Sequence, residues 1–518
     1  MNKFLNGLQE TNEFGFTENM AVKRTTTKSA LLDMFAMGGA YRARTDEDCI
    51  LLFKKALEEN EVYALKCLFY LRDVRGGQGE RRFWRVCMKW LANAHTEIAR
   101  RNLEHTAEFG RWDDLYVFEG TPLENDAFAF IKHQLALDVQ CKTPSLLAKW
   151  LKSENTSSAE SRRLGAKTRE YLGMTPRQYR KTLSVLRQRI NVLERLMSAG
   201  EWDKIEFDKI PSRAGMIYKN AFARHDLERA KNENVQTYED FAKDTTKKVN
   251  AKTLYPYECV AEAINVMRGG SWYSSRKSVA LDDTQRLMAN KYWDNLADYF
   301  NKASFNALAV VDTSGSMYGS EASAPINVAI SLGLYCAEKA QGPFANHFFT
   351  FSDKPALIRT EGVDFCDKVD RILRCPWGYN TNIEAVFDLM LDTAIKNFCS
   401  QDELPENILV ISDMEFDGCA ISNSMGIDRW GYRRFGSLDK ETLFETMKKK
   451  WRAAGYEMPK LVFWNVNARN DNIPMKDDGY VSYVSGMSPS IFETLMTGKT
   501  ALDLCLDKLN SERYSVIR

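Results

Sequence analysis

The chain has 518 residues, of which 44% are hydrophobic and 27% are charged. A chain of this length is too long for one hydrophobic core, so we expect at least two domains. The composition is typical of a soluble globular protein, and no stretch approaches 18 uninterrupted apolar residues, which excludes a membrane-spanning helix.

The net charge of +1 conceals two unequal halves. Residues 1–300 carry 48 Lys and Arg against 41 Asp and Glu, a net charge of +7, whereas residues 301–518 carry 23 against 29, a net charge of −6. A basic half joined to an acidic half indicates two roles, one of them toward a polyanion.

The cysteines and the N-terminus point to one compartment. The eleven cysteines are scattered, and no pair has C-x-x-C spacing, which argues against a zinc site and against a disulfide framework. The first residues, MNKFLNGLQETNEFGF, lack the apolar core of a signal peptide. We therefore expect a reducing, cytoplasmic location and no membrane partner.

Residues 1–300 predict a helical domain. Apolar residues recur at positions i, i+3, i+4 and i+7 in successive segments that are joined by short loops. These segments include DEDCILLFKKALEENEVYALKCLFYLRDVRGG, GERRFWRVCMKWLANAH, TEIARRNLEHTAEFG, NDAFAFIKHQLALDVQC, PRQYRKTLSVLRQRINVLERLMSAG and YPYECVAEAINVMRGG. The pattern predicts an all-α, HEAT-like helical-repeat array, with a period too irregular for a standard repeat.

One glycine-rich stretch, RDVRGGQGERRFW at residues 72–84, lies between two of these helices. It lacks the G-K-[ST] ending of a P-loop and no strand precedes it, so the pattern is a weak match to a nucleotide site. The simpler interpretation is that one helix ends at Gly76–Gly77 and the next begins near Gly79. The arginines around this turn are Arg75, Arg81 and Arg82.

The most basic stretch is residues 161–196, with ten Lys and Arg against two Glu and with Tyr171 and Tyr179 interleaved. Such a surface can neutralise phosphates and stack a base, and the alternative is an ordinary solvated helix face. A second basic stretch is SRAGMIYKNAFARHD at residues 212–226, where we give His225 no catalytic weight. The candidate RNA-binding residues are Arg162, Arg163, Lys167, Arg177, Arg180, Lys181, Arg187, Arg189, Lys219, Arg224 and His225.

From about residue 305, strands and helices alternate. The continuous apolar runs NALAVVD and ENILVISD are typical of strands buried on both faces. Further strands are predicted in ANHFFTFS, PALIRTEG, PKLVFWNVN and GYVSYVSG, and helices in PINVAISLGLYCAEKA, GVDFCDKVDRILR, TNIEAVFDLMLDTAIKNF, DKETLFETMKKKWRAAG and SPSIFETLMTG. The alternation predicts a doubly wound α/β domain with a mostly parallel sheet over residues 305–518, after a helical domain over residues 1–300.

Oxygen-bearing side chains follow two of the predicted strands and open one helix. The first strand ends in D-x-S-x-S, the motif of Asp312, Ser314 and Ser316, Asp413 ends ENILVISD, and Thr381 opens a helix after WGYNTN. Carboxyl ends of strands in such sheets border one crevice, and a hard cation such as Mg²⁺ prefers oxygen ligands. Ordinary turn chemistry is the alternative for each residue alone, whereas the three loops together predict a divalent-metal site.

The order VVDTSGSM, WGYNTNIEAVFD and LVISDMEFD resembles the von Willebrand factor A family, whose Rossmann-like domain carries a metal-ion-dependent adhesion site. The resemblance covers about residues 305–518. It implies that Asp312, Ser314 and Ser316 are first-loop ligands, Thr381 the second-loop ligand and Asp413 the third-loop ligand. It also implies an open coordination position that takes an acidic group from a partner protein.

Four segments of the N-terminal half resemble the helical TROVE module of the Ro autoantigen family. They are LFYLRDVRGGQGERRFWRVCMKWLA, EFGRWDDLYVF, PSLLAKWLKSENTSS and LYPYECVAEAI. The whole chain is most similar to a family of domains of unknown function that couples such a module to a von Willebrand factor A domain. In the Ro protein the repeats close into a ring and bind small noncoding RNAs of the Y class, so the resemblance implies RNA binding by the helical half.

Three functions follow from these patterns. The first is a non-catalytic RNA-binding scaffold of a small ribonucleoprotein, with the metal site as a docking surface. The second is a protein-interaction scaffold that clasps an acidic partner group through the metal, without RNA. The third, a metal-dependent hydrolase, is disfavoured because no His and no Cys/His nucleophile accompanies the predicted ligands, and only Glu415 and Asp417 are spare acids nearby.

Overall fold

The computed structural model of the protein describes residues 14–19, 21–268, 283–300, 306–351, 355–375, 381–417, 442–475, 479, 481–495 and 500–518. The chain forms two compact units, each assembled from two separate segments. The α/β unit comprises Met1–Cys67 and Leu254–Ser511, and the helical unit comprises Leu68–Thr253 and Glu512–Arg518. These units differ from the predicted segments 1–300 and 305–518, because both ends of the first segment lie in the α/β unit.

The described part of the N-terminal segment opens with two short strands that the sequence patterns did not predict. Strand β1 (Phe14–Phe16) pairs antiparallel with β2 (Val22–Arg24). Helix α1 (Ala30–Met37) begins after the cap residue Ser29 and is buried at seven of its eight positions. The next helices are α2 (Asp46–Glu59) and α3 (Glu61–Arg72), which carries the chain from one unit to the other.

The helical unit continues through helices of 4 to 17 residues, as the 3.6-residue periodicity predicts. They are α4 (Arg82–Ala94), α5 (Thr96–Asn102), α6 (Thr106–Phe109), α7 (Glu124–Gln140), α8 (Leu147–Trp150), α9 (Ala159–Tyr171), α10 (Pro176–Arg189), α11 (Leu193–Ser198), α12 (Ser212–Arg224), α13 (Asp226–Arg229) and α14 (Tyr238–Lys243). The Thr175–Gln178 capping box and Pro176 at the first turn explain where α10 begins. The stretch WDDLYVF forms a 3₁₀ helix over Trp112–Phe118.

The last seven residues of the chain complete the helical unit. The Tyr514 ring is buried, stacks on Phe109 with ring centroids 5.6 Å apart, and meets Tyr70 edge-on at 6.0 Å. Its hydroxyl donates to Asp73 Oδ2 at 3.0 Å, and the adjacent Arg513 donates to Asp73 Oδ1 at 2.7 Å. The C-terminal segment is therefore part of the core of this unit.

The α/β unit resumes with α15 (Pro256–Arg268) and α16 (Asp283–Asp294) and then forms a six-stranded sheet. The strands are β3 (Ala307–Asp312), β4 (His347–Phe351), β5 (Ala356–Arg359), β6 (Asn407–Ser412), β7 (Lys460–Asn465) and β8 (Val481–Ser485). The helices between and after them are α17 (Pro325–Lys339), α18 (Phe365–Leu373), α19 (Glu384–Lys396), α20 (Leu443–Ala453), α21 (Ile491–Leu495) and α22 (Ala501–Leu509).

The strand order is β5-β4-β3-β6-β7-β8, and every pair is parallel except the edge pair β4–β5. Every residue of β3 is buried, as expected for a central strand that is covered on both faces. Helix α17 approaches β3 closely at Gly333, where an added Cβ would lie 2.5 Å from Val311 Cγ2. The predicted mostly parallel α/β sheet is thus confirmed.

Helices α15 and α16 pack in the α/β unit, which explains the difference from the predicted boundary. The Trp293 ring stacks on Phe365 with centroids 4.3 Å apart, and Arg286 Nε lies 2.8 Å from Asp364 Oδ2. Sequence periodicity shows that these segments are helical but not which unit they cover. Residues 376–380, in the loop before Thr381, and residues 418–441 lie outside the described part of the chain. Among the described helices, none is long and apolar enough to cross a bilayer.

Candidate functional site

Two of the predicted metal-binding loops leave neighbouring strands at the same edge of the sheet. Strand β3 ends at Asp312 and β6 ends at Ser412, and the two strands pair in parallel, with Val311 opposite Ile411. Asp312 has no exposed surface and Asp413 is 1% exposed. The parallel register brings the two carboxylates together, as the sequence predicts.

Hydrogen bonds join these carboxylates to the predicted serine ligands. The Ser314 N–H donates to Asp312 Oδ1 at 2.9 Å, and the Ser412 hydroxyl donates to the other Asp312 oxygen. The Ser314 and Ser316 hydroxyl oxygens are 3.1 Å apart, and the Ser316 hydroxyl is close enough to Asp413 to oppose the rise in the pKa of that carboxyl. Four of the five predicted ligands therefore gather around one point.

The electrostatics of this cluster favour a bound cation. Burial, and secondarily the neighbouring Asp413 carboxylate, raise the pKa of Asp312 to about 7. Burial also raises the pKa of Asp413, against the opposing effect of the Arg469 guanidinium. Two buried carboxylates that repel each other are stabilised by positive charge between them.

The fifth predicted ligand, Thr381, lies against the loop that follows β6. Its hydroxyl donates to Asp417 Oδ1 at 2.7 Å, and the Asp417 N–H donates to Thr381 O at 3.2 Å. The same hydroxyl oxygen accepts a bond from Asn19 Nδ2 at 2.6 Å. The second predicted loop thus meets the third.

A cation of the chain itself, Arg469, lies beside the site. It follows β7, and its Nη2 is 3.0 Å from Asp413 Oδ2 while its Nη1 is 2.9 Å from Glu18 Oε2. The sequence analysis did not identify Arg469, because the RNDN stretch at residues 469–472 does not have the spacing of a typical ligand set. Its position after a parallel strand was the one signal that could have identified it.

The N-terminal segment also contacts the site loops. Thr17 Oγ1 donates to Phe416 O at 2.6 Å, and the Glu18 N–H donates to Glu415 Oε2 at 2.7 Å. Asn19 Nδ2 donates to Glu415 O at 2.7 Å in addition to its bond to Thr381. No local pattern in residues 17–19 predicts contacts with loops some 400 positions away, so the sequence could not indicate this segment.

The donor set fits a hard divalent cation. Within the described ranges, no group of three or more His, Cys, Asp or Glu side chains is placed to hold a metal ion. The predicted set does not depend on such a group, since three of its five donors are hydroxyls. Carboxylates of Asp312 and Asp413 with hydroxyls of Ser314 and Ser316 are the oxygen chemistry that Mg²⁺ accepts.

Several predicted RNA-binding side chains are engaged within the helical unit. Arg187 donates to Ala148 O at 2.8 Å and to Leu151 O at 3.0 Å, so it ties α10 to the end of α8. Arg189 donates to Val139 O at 2.8 Å. Burial lowers the pKa of Arg187, as expected for a cation that holds the structure together.

The basic residues of α9 form ion pairs. Arg163 and Lys167 both pair with Glu119, and Lys167 Nζ is also 2.9 Å from Glu124 Oε2. The Arg163 guanidinium lowers the pKa of Glu119 to about 2. Arg162 donates to two backbone carbonyls of the preceding loop, at 2.7 and 2.8 Å.

The second basic stretch has a similar character. The His225 ring stacks on Trp202 with centroids 3.8 Å apart, and its Nδ1 lies 2.9 Å from Glu228 Oε2. Arg224 donates to a carbonyl of its own helix, and Lys219 is half-buried. The exposed cations of α10 are Arg177, Arg180, Lys181 and Arg189, of which Arg180 donates to Pro176 O at 3.3 Å and Arg189 to Val139 O.

Comparisons with known proteins match nearly the whole chain. The model of a domain of unknown function (DUF2828) matches residues 17–118 and 134–304, and that of another (DUF7788) matches residues 306–513. The "Uncharacterized protein L728" of Acanthamoeba polyphaga mimivirus is 32% identical over 526 residues, which cover 93% of this chain and 85% of the relative.

Among solved structures, the "Crystal structure of Deinococcus radiodurans RO (RSR) protein" is similar with a TM-score of 0.39 and 12% identity, over 91% of this chain and 100% of that chain. The two family models and the viral relative carry the assignment, since together they span both halves of the sequence. The chain belongs to the family of the domain of unknown function DUF2828, which is followed here by a DUF7788 domain.

Proposed function

We propose that the protein is a non-catalytic RNA-binding scaffold of a small noncoding-RNA ribonucleoprotein. The observation that carries this proposal is the division of charge between the compact units. The helical unit has 36 Lys and Arg against 26 Asp and Glu, a net charge of +10, and the α/β unit has 35 against 44, a net charge of −9. The helical unit is more basic than the segment 1–300, whose net charge is +7.

A charge of this size favours a polyanionic partner. Each phosphate that a Lys or Arg neutralises releases condensed counterions, which gives affinity without sequence specificity. The exposed α10 residues Arg177, Arg180 and Lys181 supply such contacts. Small structured RNAs of the Y class are the expected partners, on the resemblance to the TROVE module.

The α/β unit supplies a second, separate role in this proposal. Asp312, Ser314, Ser316 and Asp413 would hold Mg²⁺ or a similar divalent cation, with Thr381 as the remaining protein ligand. When bound, the cation supplies an electrophilic position for a carboxylate of a partner protein. The chain's own residues orient the ligands, since Ser412 and the Ser314 N–H fix both oxygens of Asp312.

The test of RNA binding is its salt dependence. We expect the Kd for a fluorescent RNA hairpin, measured by anisotropy between 50 and 200 mM KCl, to rise by roughly 10³-fold if about six phosphates are contacted. Charge reversal of Arg177, Arg180 and Lys181 should weaken binding by at least about tenfold, because it replaces three contacts with repulsion.

A matched variant controls for net charge. Lys204, Lys209 and Lys243 are exposed residues of the same unit, each beside a Glu three or four positions away. Their reversal to Glu makes the same change in total charge and should weaken binding less. An affinity that ignores salt would contradict the proposal.

The second candidate is a protein-interaction scaffold without RNA. It is favoured by the buried carboxylate–hydroxyl cluster, which lies in the acidic unit and is built for a cation rather than for a phosphate. A pull-down after nuclease treatment separates the candidates. A partner that is retained after nuclease and released by chelation supports the second candidate, and one that is lost with the RNA supports the first.

A further inference from the structure

Several cations of the helical unit converge on one nearly buried carboxylate. Asp113 is 4% exposed. It lies 2.6 Å from Arg81 Nη2, 3.0 Å from Arg111 Nε and 3.7 Å from Lys152 Nζ. Arg85 Nη2 is 3.8 Å from the same carboxylate. The motifs GERRFWR (residues 79–85) and GRWDD (residues 110–114) thus meet at this carboxylate.

The neighbouring Asp114 does not balance the charge. It is fully buried, and it accepts from Arg72 Nη2 at 2.5 Å and from Arg85 Nε at 2.9 Å. Counting the residues that the structure describes, five cations surround two carboxylates, a local excess of +3. Burial lowers the pKa values of Arg85 and Arg111, and the positive charge of Arg81 lowers both further, so the cations also repel one another.

The arginines keep donors that the carboxylates do not use. Their hydrogen bonds run through Nε and Nη2, and across the described residues Nη1 of Arg81, Arg85 and Arg111 has no partner. These three side chains are 37%, 35% and 30% exposed, and Lys152 is 30% exposed. Solvent-side N–H groups thus cluster around a buried anchor.

The orientation of Arg111 is also fixed from its other face. Its guanidinium carbon lies 4.1 Å from the centroid of the Trp150 ring, a cation–π contact. Asp113 accepts hydrogen bonds from the Nε and Nη2 groups of Arg111, and the Trp150 ring packs on the face of its guanidinium. The side chain therefore loses little rotamer freedom when a ligand binds. A preorganised guanidinium fork matches the geometry of phosphate oxygens.

We propose that Arg81, Arg85, Arg111 and Lys152 form a phosphate-binding site, anchored from below by Asp113 and Asp114. Resting on the proposed function, we assign to this site a backbone phosphate of the bound RNA. A phosphate offers the negative charge that the two carboxylates do not supply and the acceptor oxygens that the unused N–H groups require. A free phosphate-bearing small molecule offers the same chemistry and is separated by the experiment.

The test uses the full chain and the double variant Arg85→Gln/Lys152→Gln, which leaves Arg72, Arg81 and Arg111 to hold the buried carboxylates. Lys204→Gln/Lys209→Gln is the control, since it removes the same charge from exposed positions of the same unit. We expect the test variant to bind a single-stranded RNA about tenfold more weakly and with a salt slope smaller by about 1, and the control to keep its slope. Unchanged thermal unfolding verifies that the variant is folded.

A second arm uses inorganic phosphate, followed by the width of its ³¹P NMR signal. If both double variants lose the same RNA affinity, the site is overturned while RNA binding stands. A third outcome is that the wild-type chain fails to bind RNA but broadens the phosphate signal, whereas the test variant does not broaden it. The site then stands as a site for a small phosphate compound, and the proposed function fails. If RNA and phosphate both fail to bind, the site is overturned.

Discussion

At the scale of single residues, no cationic side chain in the described part of the chain forms an ion pair with Asp312. Its oxygens accept from the Ser314 N–H and the Ser412 hydroxyl, and the like charge of Asp413 adds to the effect of burial in raising its pKa. Asp312→Asn keeps an acceptor but removes the charge that attracts a divalent ion. We expect Mn²⁺ affinity, measured by calorimetry, to fall at least about 100-fold, beyond the effect of outer-shell changes.

The control for this change is Asp402→Asn, which alters an exposed carboxylate of the same unit. Far-ultraviolet circular dichroism should be the same for both variants and the wild type. A Mn²⁺ isotherm that is identical for Asp312→Asn and the wild type would refute the assigned ligands.

The guanidinium of Arg469 competes with any cation for Asp413, since the two groups lie 3.0 Å apart. A hydrogen bond to a charged group contributes about 1.5–3 kcal/mol, so Arg469→Ala should raise Mn²⁺ affinity by roughly 10–100-fold. Arg452→Ala, which removes an exposed arginine of the same unit, is the control. Weaker Mn²⁺ binding by Arg469→Ala would indicate that the arginine supports the ligands instead.

Two arginines of α10 have different roles: Arg187 is structural, and Arg177 lies at the surface. Arg187 donates three hydrogen bonds to residues before α9, and Arg177 is exposed at the opposite end of the helix. Arg187→Ala should lower the free energy of unfolding, measured in urea, by about 2–4 kcal/mol because it leaves buried carbonyls unpaired. Arg177→Ala should change it by less than about 0.5 kcal/mol. Equal losses would contradict this division.

At the scale of elements, the sequence predicts what is periodic or local. Strands β3 and β6 are continuous apolar runs, so their type and their shared edge follow from the sequence, and with them the meeting of Asp312 and Asp413. The contacts of Asn19 and Arg469 do not follow, because they depend on how segments hundreds of residues apart pack. The basic residues of α9 and α10 are a second example. Their positive charge can be read from the sequence, but the acidic residues and carbonyl groups with which they pair cannot.

The C-terminal segment 512–518 acts as a core element of the helical unit. Tyr514→Ala removes a buried ring between Phe109 and Tyr70 and leaves Asp73 without one of its donors. We expect the unfolding free energy of this unit to fall by about 3–5 kcal/mol, as for other buried aromatic-to-alanine changes. Val516→Ala, at a position 36% exposed, should cost much less. A Tyr514→Ala protein as stable as Val516→Ala would show that the ring is dispensable.

At the scale of the whole molecule, the α/β unit cannot be separated at residue 305. A fragment of residues 305–518 lacks α16, and so it uncovers Phe365 and removes the acceptor for the Tyr335 hydroxyl at Ala297 O. We expect this fragment to bind the dye ANS and to unfold over a broad range, as partly packed states do. A chain that joins residues 1–67 to 254–511 should unfold cooperatively. Equal cooperativity of the two would contradict the assignment of residues 254–300 to this unit.

Helix α1 is synthesised long before the strand on which it packs. Helix α1 packs on β8, where the Ser485 hydroxyl donates to Phe35 O at 3.4 Å. Some 450 residues separate the two elements, and at about 5–20 residues per second a ribosome needs roughly 20–90 s to span that interval. During this time the side of α1 that packs on β8 has no native surface to cover it, although α2 is already available to its other side. The nascent chain is therefore a natural client for holdase chaperones, and slow codons in its last quarter would prolong that dependence.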